Sequence, residues 1–517
     1  PQDSLWQMGA NSYLRIETPM IYATGLNRLP ENLLQRLDAA SLHVESPDIR
    51  LMKKDGSLLQ VSLQDLGIDK VVWDSLHFSV GSINLSDPVV SYQAGTSPDP
   101  IKTKKKSPAV LSDDIYEAVG RFTPDLSLGK LTVSNAVWNR DTANLFLEGL
   151  HVNVRNRTFG LKTVRFDTKD LAFPLDNGFY TLKIGKVNLD NTDLNLEDIH
   201  LVSAYPKMEF AYRQPKHQDW FDVKVGRLGL SGIDLPAYFS EKVVRIKNVE
   251  VDNAELQNFK NQQIVVPRHI VPMIYSGLQK APVKMAIDSL RVNNFSVVYE
   301  ELSKKGIQPG KLFFTEMNGK FSGFTNIVSY PDQYIRLDAN GKLMGKGYFT
   351  ATWQLPVDSL NDRFLLDAHM EDFDLTALNE LITPLAFAKV ESGKLVDFTF
   401  STEASTKGAT VDMLFLYRDL KAEIMKEKKG EVIDNKFLSR LANLVLKHDN
   451  PDHPEQGTRR PRHSHLTIER DPYHSTFNYL WQILRPALTE SVGVSKKAQD
   501  VAKDVSGFFT KVKNFFH

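Results

Sequence analysis

Residues Ile287 to Tyr299 read IDSLRVNNFSVVY. Leu290 and Val292 stand two apart, the pair Asn293-Asn294 follows, and alternation resumes at Phe295, Val297 and Tyr299. Successive side chains of a strand point to opposite faces, so this stretch reads as a strand with a bend. An inserted turn or bulge residue at the asparagine pair lets Phe295 resume the face of Leu290 and Val292 despite the odd spacing. Asparagine tolerates the left-handed backbone that such an insertion needs.

The formula returns at Ala39–Ile49, Val80–Val90, Leu128–Trp138, Ile184–Leu194, Val225–Leu235 and Ile246–Leu256, seven copies in all. Their starts lie 41, 48, 56, 41, 21 and 41 residues apart, one or two units of twenty-odd residues with insertions. That period predicts an array of hairpins in which each unit touches mainly its neighbours. Although 517 residues fit roughly three or four compact domains by length, the repeat favours one elongated β body.

Between the copies, the signals are helix punctuation and turns. Pro30 opens PENLLQRLDAA, whose Leu33, Leu34 and Leu37 have helical spacing. Short helices are also expected at Ser112–Phe122, Leu235–Lys242, Pro267–Gln279 and from Asp374 through DLTALNELITPLAFA. The run from Gln93 to Pro108, with lysines at 102, 104, 105 and 106, has loop composition; a solvated loop and contact with anionic head groups are both open readings. Three segments result: a repeated hairpin array over 1–310, a C-terminal β module with one helix over 311–430, and over 431–517 a helix, a flexible His/Pro/Arg-rich loop and amphipathic C-terminal helices.

Composition removes several function classes. Lys plus Arg equals Asp plus Glu at 63 each, so no global field draws the chain to nucleic acid. There is no cysteine, hence no disulfide framework, thiolate metal site or cysteine nucleophile. Apolar residues make up 42% of the chain, enough for a substantial core. No apolar run approaches a membrane-spanning length, and Pro1 opens without a signal-peptide profile; the missing initiator Met suggests trimming and leaves open whether an anchor or signal preceded Pro1.

Candidate chemistry is thin. His448, His453, His463, His465 and His474 share a Pro- and Arg-rich span; His463 and His465 are spaced to pinch a divalent metal, but the span has the composition of a flexible connection. Asp367, Glu371, Asp372 and Asp374 suggest acid/base work or calcium, yet lack EF-hand spacing, and Asp374 suffices as a helix N-cap. Phosphate-loop, nucleophile-elbow, HExxH and dinucleotide motifs are missing, so no enzyme activity, cofactor or metal is expected.

The C-terminal stretch from Lys496 to Phe516 reads as a basic amphipathic helix. Phe508, Phe509, Val512, Phe515 and Phe516, with Lys511 and Lys513, suit docking on an anionic membrane or partner; packing onto the sheet is the alternative. Before it, Phe477, Tyr479, Leu480, Trp481, Ile483 and Leu484 mark an apolar helix that reads as core.

Several stretches resemble the AsmA-like family of envelope proteins, in the variety found in Bacteroidota-type bacteria. They are the recurrent hydrophobic-x-hydrophobic-Asn/Asp units, IDSLRVNNFSVVYEEL followed by PGKLFFTEMNGKFSGFTN, MEDFDLTALNELITPLAFAKVESGKLVDFTFS, and RDPYHSTFNYLWQILRPALTESVG. The resemblance covers Ser41 to Gly493 through loose patterns without an invariant chemical signature. It implies a mainly β fold: an elongated, twisted, partly rolled antiparallel sheet of repeated hairpins, with short helices and a helical C-terminus, enclosing an apolar groove. It also implies kinship with bridge-like lipid-transfer proteins, a periplasmic or cell-envelope location with membrane attachment through a segment outside this chain, and a role in outer-membrane biogenesis. The partner expected is phospholipid or another acyl-chain lipid, with a membrane surface or membrane protein as a further one and no nucleic acid. Expected groove residues are Leu131, Val133, Val187, Leu189, Leu228, Leu230, Leu290, Val292, Phe295 and Val297. At about 0.8 kcal/mol per methylene, an acyl chain of about 16 carbons bared to water costs on the order of 12 kcal/mol, which a continuous apolar trough avoids. The competing reading is a structural or adhesive β-repeat scaffold whose oily face closes on itself as an ordinary core.

Overall fold

The structure is a computed structural model. It describes residues 2–493 apart from 8–11, 25–35, 54–56, 94–112, 121–122, 139–140, 176–177, 214–217, 265–269, 330–332, 358–361, 429–430, most of 435–445, 453–459, 474–475 and scattered single positions. The chain is mainly β, and its strands join in one long, open, mixed sheet.

The organising stretch lies inside a 19-residue strand, Lys284–Leu302. Asn294 has φ 53°, and the register against the next strand shifts between Val292 and Phe295, so the bend is a bulge. The equivalent position of every copy has positive φ: Ser46 41°, Asp87 50°, Asn135 54°, Asn191 55°, Gly232 68°, Asn253 55° and Asn294 53°. Glycine enters this region without steric penalty, and Asn or Asp at less penalty than other residues, which is why these types hold six of the seven positions.

Most copies are bends rather than hairpin tips. Asn135 and Asn253 lie within single strands, Asp125–Trp138 and Val243–Asn261. Ser46 and Asp87 each divide one long strand path into two pieces. Only Asn191 sits at a tip, where Asp190 pairs with Asp193 across a two-residue turn. Gly232 instead precedes the helix Leu235–Glu241, which begins at Asp234 as N-cap and ends at Lys242 in the left-handed conformation.

The bulges line up. Asp170, Gly185, Asp198, Gly226, Asn253 and Asn294 are the skipped positions at one level of six adjacent strands. A Cβ on Gly185 would stand 2.8 Å from Cβ of Asp198, so glycine is needed where a neighbouring bulge leans over it. Each bulge adds one residue and a local bend, so alternation resumes on the same face and the sheet is creased along the line.

Strands add in nearly sequential order, antiparallel except at two places. Phe78–Ser86 runs parallel to Asp125–Trp138, and Val243–Asn261 runs parallel to Lys284–Leu302. A parallel step needs a long crossover. The first crossover carries helical residues between 113 and 120, and the second carries the helix Ile274–Gln279. Pairing continues across residue 310, where Lys284–Leu302 meets Gly310–Thr325.

Two sequence expectations are corrected. Residues 36–40 of the stretch read as a helix from Pro30 belong to the strand Arg36–Glu45, paired with Asp65–Asp74; residues 30–35 lie outside the described residues. Sheet pairing overrides the local helical spacing there. The His/Pro/Arg-rich loop ends sooner than expected, because His463–Glu469 is a strand paired with Gly408–Lys428. The lysine-rich run 102–106 lies outside the described residues. The helix Lys207–Arg213, which the sequence reading missed, seats Phe210 fully buried against Phe179 and Tyr180.

The large core cluster sits in the C-terminal part. Phe364, Phe373, Leu395, Phe400, Met413 and Tyr417 pack with Tyr479, Ile483 and Ala487 of the helix Thr476–Ser491. Tyr479, Ile483 and Ala487 are each 0% exposed, so this apolar helix is core, as its sequence reads.

Candidate functional site

Residues directly opposite on neighbouring strands share a face of the sheet, so the registers trace its rows. One row runs Val44, Leu66, Leu85, Val133, Leu145 and Phe166 across the first six strands that carry it. It continues through Leu189, Leu194, Leu230, Val249, Leu290 and Phe321. It then passes Leu337, Trp353, Leu366, Thr402, Val411 and Leu466. Thr402 is the one polar member among these 18 strands, and at about 4.8 Å per strand the row spans roughly 80 Å.

A second row beside it contains Val187, Leu196, Leu228, Val251 and Val292, and it continues through Gly319, Ala339, Ala351 and Ala368 to Phe400 and Met413. Beyond the bulge line, Ile184, Ile199, Val225, Ala254 and Phe295 form a third row, and Leu182, Leu201, Val223, Leu256 and Val297 a fourth. Val133, Leu189, Leu230 and Leu290 of the sequence-expected set therefore share the first row. Val187, Leu228 and Val292 share the second, while Phe295 and Val297 lie in the third and fourth. Leu131, opposite Leu147, is on the same face one rung away from Val133.

Nine of these ten residues are half-buried, and Val187 is 8% exposed. Along the first row, burial becomes continuous at Thr402 and Val411; along the second it does so at Phe400 and Met413. The change in these two rows coincides with the helix Thr476–Ser491, and the same buried cluster takes in Ile335, Leu355 and Phe364 near the ends of the three strands before, so the apolar face is open in the middle of the sheet and fills toward its C-terminal end. No large buried cluster forms over residues 36–261 among the described residues.

The opposite face is charged. Lys186 pairs with Glu197 at 3.1 Å and Arg227 with Asp252 at 3.1 Å on neighbouring strands. Arg336 donates to Asp338 at 2.7–2.8 Å and holds that carboxyl below its usual range. An open hollow of about 640 Å³ lies where the bulges line up, among Lys183, His200, Lys224 and Glu255. Leu171, Ile184, Ile199 and Val225 line it beside these charged groups, and His200 within it is bonded to Asp222 at 3.0 Å.

Short helices stand at both strand ends. Lys207–Arg213 lies where Tyr180, Trp220 and Phe259 end, tied to the sheet by Lys207 and Glu300 at 2.5 Å. Near it, burial and the adjacent Glu301 carboxylate push the Tyr299 phenol far above its usual range. At the other end, Phe239 of Leu235–Glu241 stacks on Phe159 at 3.8 Å.

Comparison with protein-family models and with curated proteins returns no match for this chain. The site therefore stands on its own geometry.

The remaining candidates disperse into structural contacts. Asp374 accepts from the Thr376 N–H at 2.9 Å as an N-cap, Asp367 accepts from Ser401, and Asp372 pairs with Lys394. His463 and His465 both face Asp412, at 2.8 and 3.3 Å, across paired strands; no metal-holding group of three appears among the described residues. Phe508, Phe509, Lys511, Val512, Lys513, Phe515 and Phe516 lie outside the described residues. No described helix is long and apolar enough to cross a membrane. Sequence reading missed Phe321, Leu337, Trp353 and Leu366 as extensions of the row. Their signal was the alternation in KFSGF, YIRLD, TATWQ and FLLDA, which lacks the asparagine that marked the repeats.

Proposed function

We propose that this chain is a non-enzymatic lipid-binding or lipid-transfer protein of the bacterial envelope, of the AsmA-like kind. In this reading, acyl chains lie along the uncovered apolar rows while head groups face solvent, and the protein contributes to outer-membrane biogenesis from the periplasm. The observation that carries the reading is one apolar row crossing 18 strands with a single polar member, half-buried over most of the middle of the sheet. A surface of that length is too extensive to be scattered exposed side chains. Covering an acyl chain of about 16 carbons there recovers on the order of 12 kcal/mol of exposure to water.

Organic extraction of the purified protein followed by mass spectrometry tests the proposal. Copurifying phospholipid, and uptake of labelled phospholipid that Leu228→Asp with Val251→Asp abolishes, are the expected results. Preparations that are lipid-free and take up none would defeat it. The scaffold reading draws support from one observation, the filled packing of Phe400, Met413 and Tyr479; on that reading the Asp variants leave uptake of labelled lipid unchanged at zero.

A further inference from the structure

The apolar face has a defined end, and it is made by the chain itself. Strands Phe364–Asp374 and Ala388–Ala404 are neighbours, and both rows pass from one to the other: Ala368 pairs with Phe400, and Leu366 with Thr402, the one polar member of its row. Ala368 and Leu366 are half-buried, whereas Phe400 is 4% and Thr402 3% exposed. What changes between them is cover. Tyr479, Ile483 and Ala487 of the helix Thr476–Ser491 join Phe400 and Met413 in one buried cluster, and the cover ends over the preceding strand at Phe364, 1% exposed, whose ring meets Tyr479 at 6.4 Å.

The helix is fastened by polar bonds as well as by packing. Tyr479 Oη donates to the Ser405 carbonyl at 3.3 Å, and Ser464 Oγ donates to the Ala487 carbonyl at 2.9 Å. The Ser491 carbonyl accepts from Arg462 Nε at 2.7 Å. The Ser464–Ala487 bond is buried and the two at the ends are part-buried, so lifting the helix costs most at Ser464, whose hydroxyl would lose a buried partner.

We infer that the helix Thr476–Ser491 is a fixed stop, confining acyl chains to the strands that precede Ala388–Ala404. Lipid then enters and leaves elsewhere along the trough, and the helix does not lift to admit it. This inference rests on the proposed lipid-binding function.

A photocrosslinking amino acid placed singly at Leu228, Phe295, Leu337, Phe400 or Met413 of the full chain tests it, with labelled phospholipid as the probe. Crosslinks at the first three positions and background at Phe400 and Met413 are expected. Crosslinking at Phe400 or Met413 as strong as at Phe295 overturns the stop but leaves the lipid reading intact. Background at all five removes the lipid reading and the stop with it. Because a bulky residue at Phe400 or Met413 can disturb folding, a second arm keeps every apolar side chain of the core and changes only two buried hydroxyls, with the reduced form of the same protein as its control. Ser464 and Ser491 hydroxyls are 3.1 Å apart, and the chain has no cysteine, so Ser464→Cys with Ser491→Cys makes a single disulfide between strand and helix. Oxidised and reduced protein take up lipid equally if the helix is fixed. Loss of uptake on oxidation, restored by reductant, would show a moving lid and overturn the inference.

Discussion

Asn294 is the residue on which the repeat formula can be tested most directly. With φ at 53°, it adopts a backbone that a β-branched residue enters at roughly 1–2 kcal/mol. Its side chain also donates from Nδ2 to Asn253 Oδ1 at 2.8 Å, bridging two bulges on parallel strands; such a bond contributes about 0.5–1.5 kcal/mol net. Asn294→Val loses both, and the strand preference of valine returns at most about 1 kcal/mol. The net expectation is a loss of about 2 kcal/mol. Asn294→Gly loses the side-chain bond but keeps the backbone conformation without strain, so it stays within about 1 kcal/mol of the parent. The N–H of residue 294, which donates to Asn318 Oδ1 at 3.1 Å, survives in both variants. A long sheet of neighbour-coupled strands need not unfold in one step, so the measurement should be local. Hydrogen exchange of peptides covering 284–302 reports the opening free energy of this strand. If valine opens at the same or higher free energy than glycine, the bulge does not carry the strand geometry and the reasoning fails.

Other consequences follow from the division between open and filled face. Phe400→Ala, beneath the helix, should destabilise by about 3–5 kcal/mol, while Leu228→Ala, half-buried on the open face, should lose about 1 kcal/mol; urea titration with local exchange compares them. Equal losses would mean that both sites are packed alike. Arg462→Ala removes charged donors from the Ser491 carbonyl and from Tyr417 Oη, at 2.7 and 2.9 Å, and should raise exchange across 476–491 by an amount equivalent to about 2–3 kcal/mol. Asp374→Ala should lower the protection of 375–386 by about 1 kcal/mol. The bonds from Thr376 hold the Asp374 carboxyl below its ordinary value, so its contribution is present above the usual carboxylate range and disappears as pH falls through the depressed value. The protection factor of that segment, its exchange relative to the intrinsic rate at each pH, should fall on acidification in the parent but change less in Asp374→Ala.

Some of this protein was written locally. The left-handed position in all seven copies was legible because only a few residue types tolerate that backbone, and the N-cap at Asp374 and the helix after Asp234 were legible for similar reasons. Alternation also told which side chains share a face, since a strand fixes that by its own geometry. Register, cover and order of pairing were a different matter. Residues 36–40 have helical spacing yet pair as a strand, and HSHLTIE hides a strand at the end of a loop-like run. Both outcomes depend on a partner strand remote in sequence. Phe295 and Phe400 read alike as apolar members of alternating strands, but one is left half-buried and the other lies in the buried cluster with Tyr479 and Ile483. Hydrophobic pattern determines which face a side chain takes; whether anything covers that face is decided only when distant segments of the chain come together.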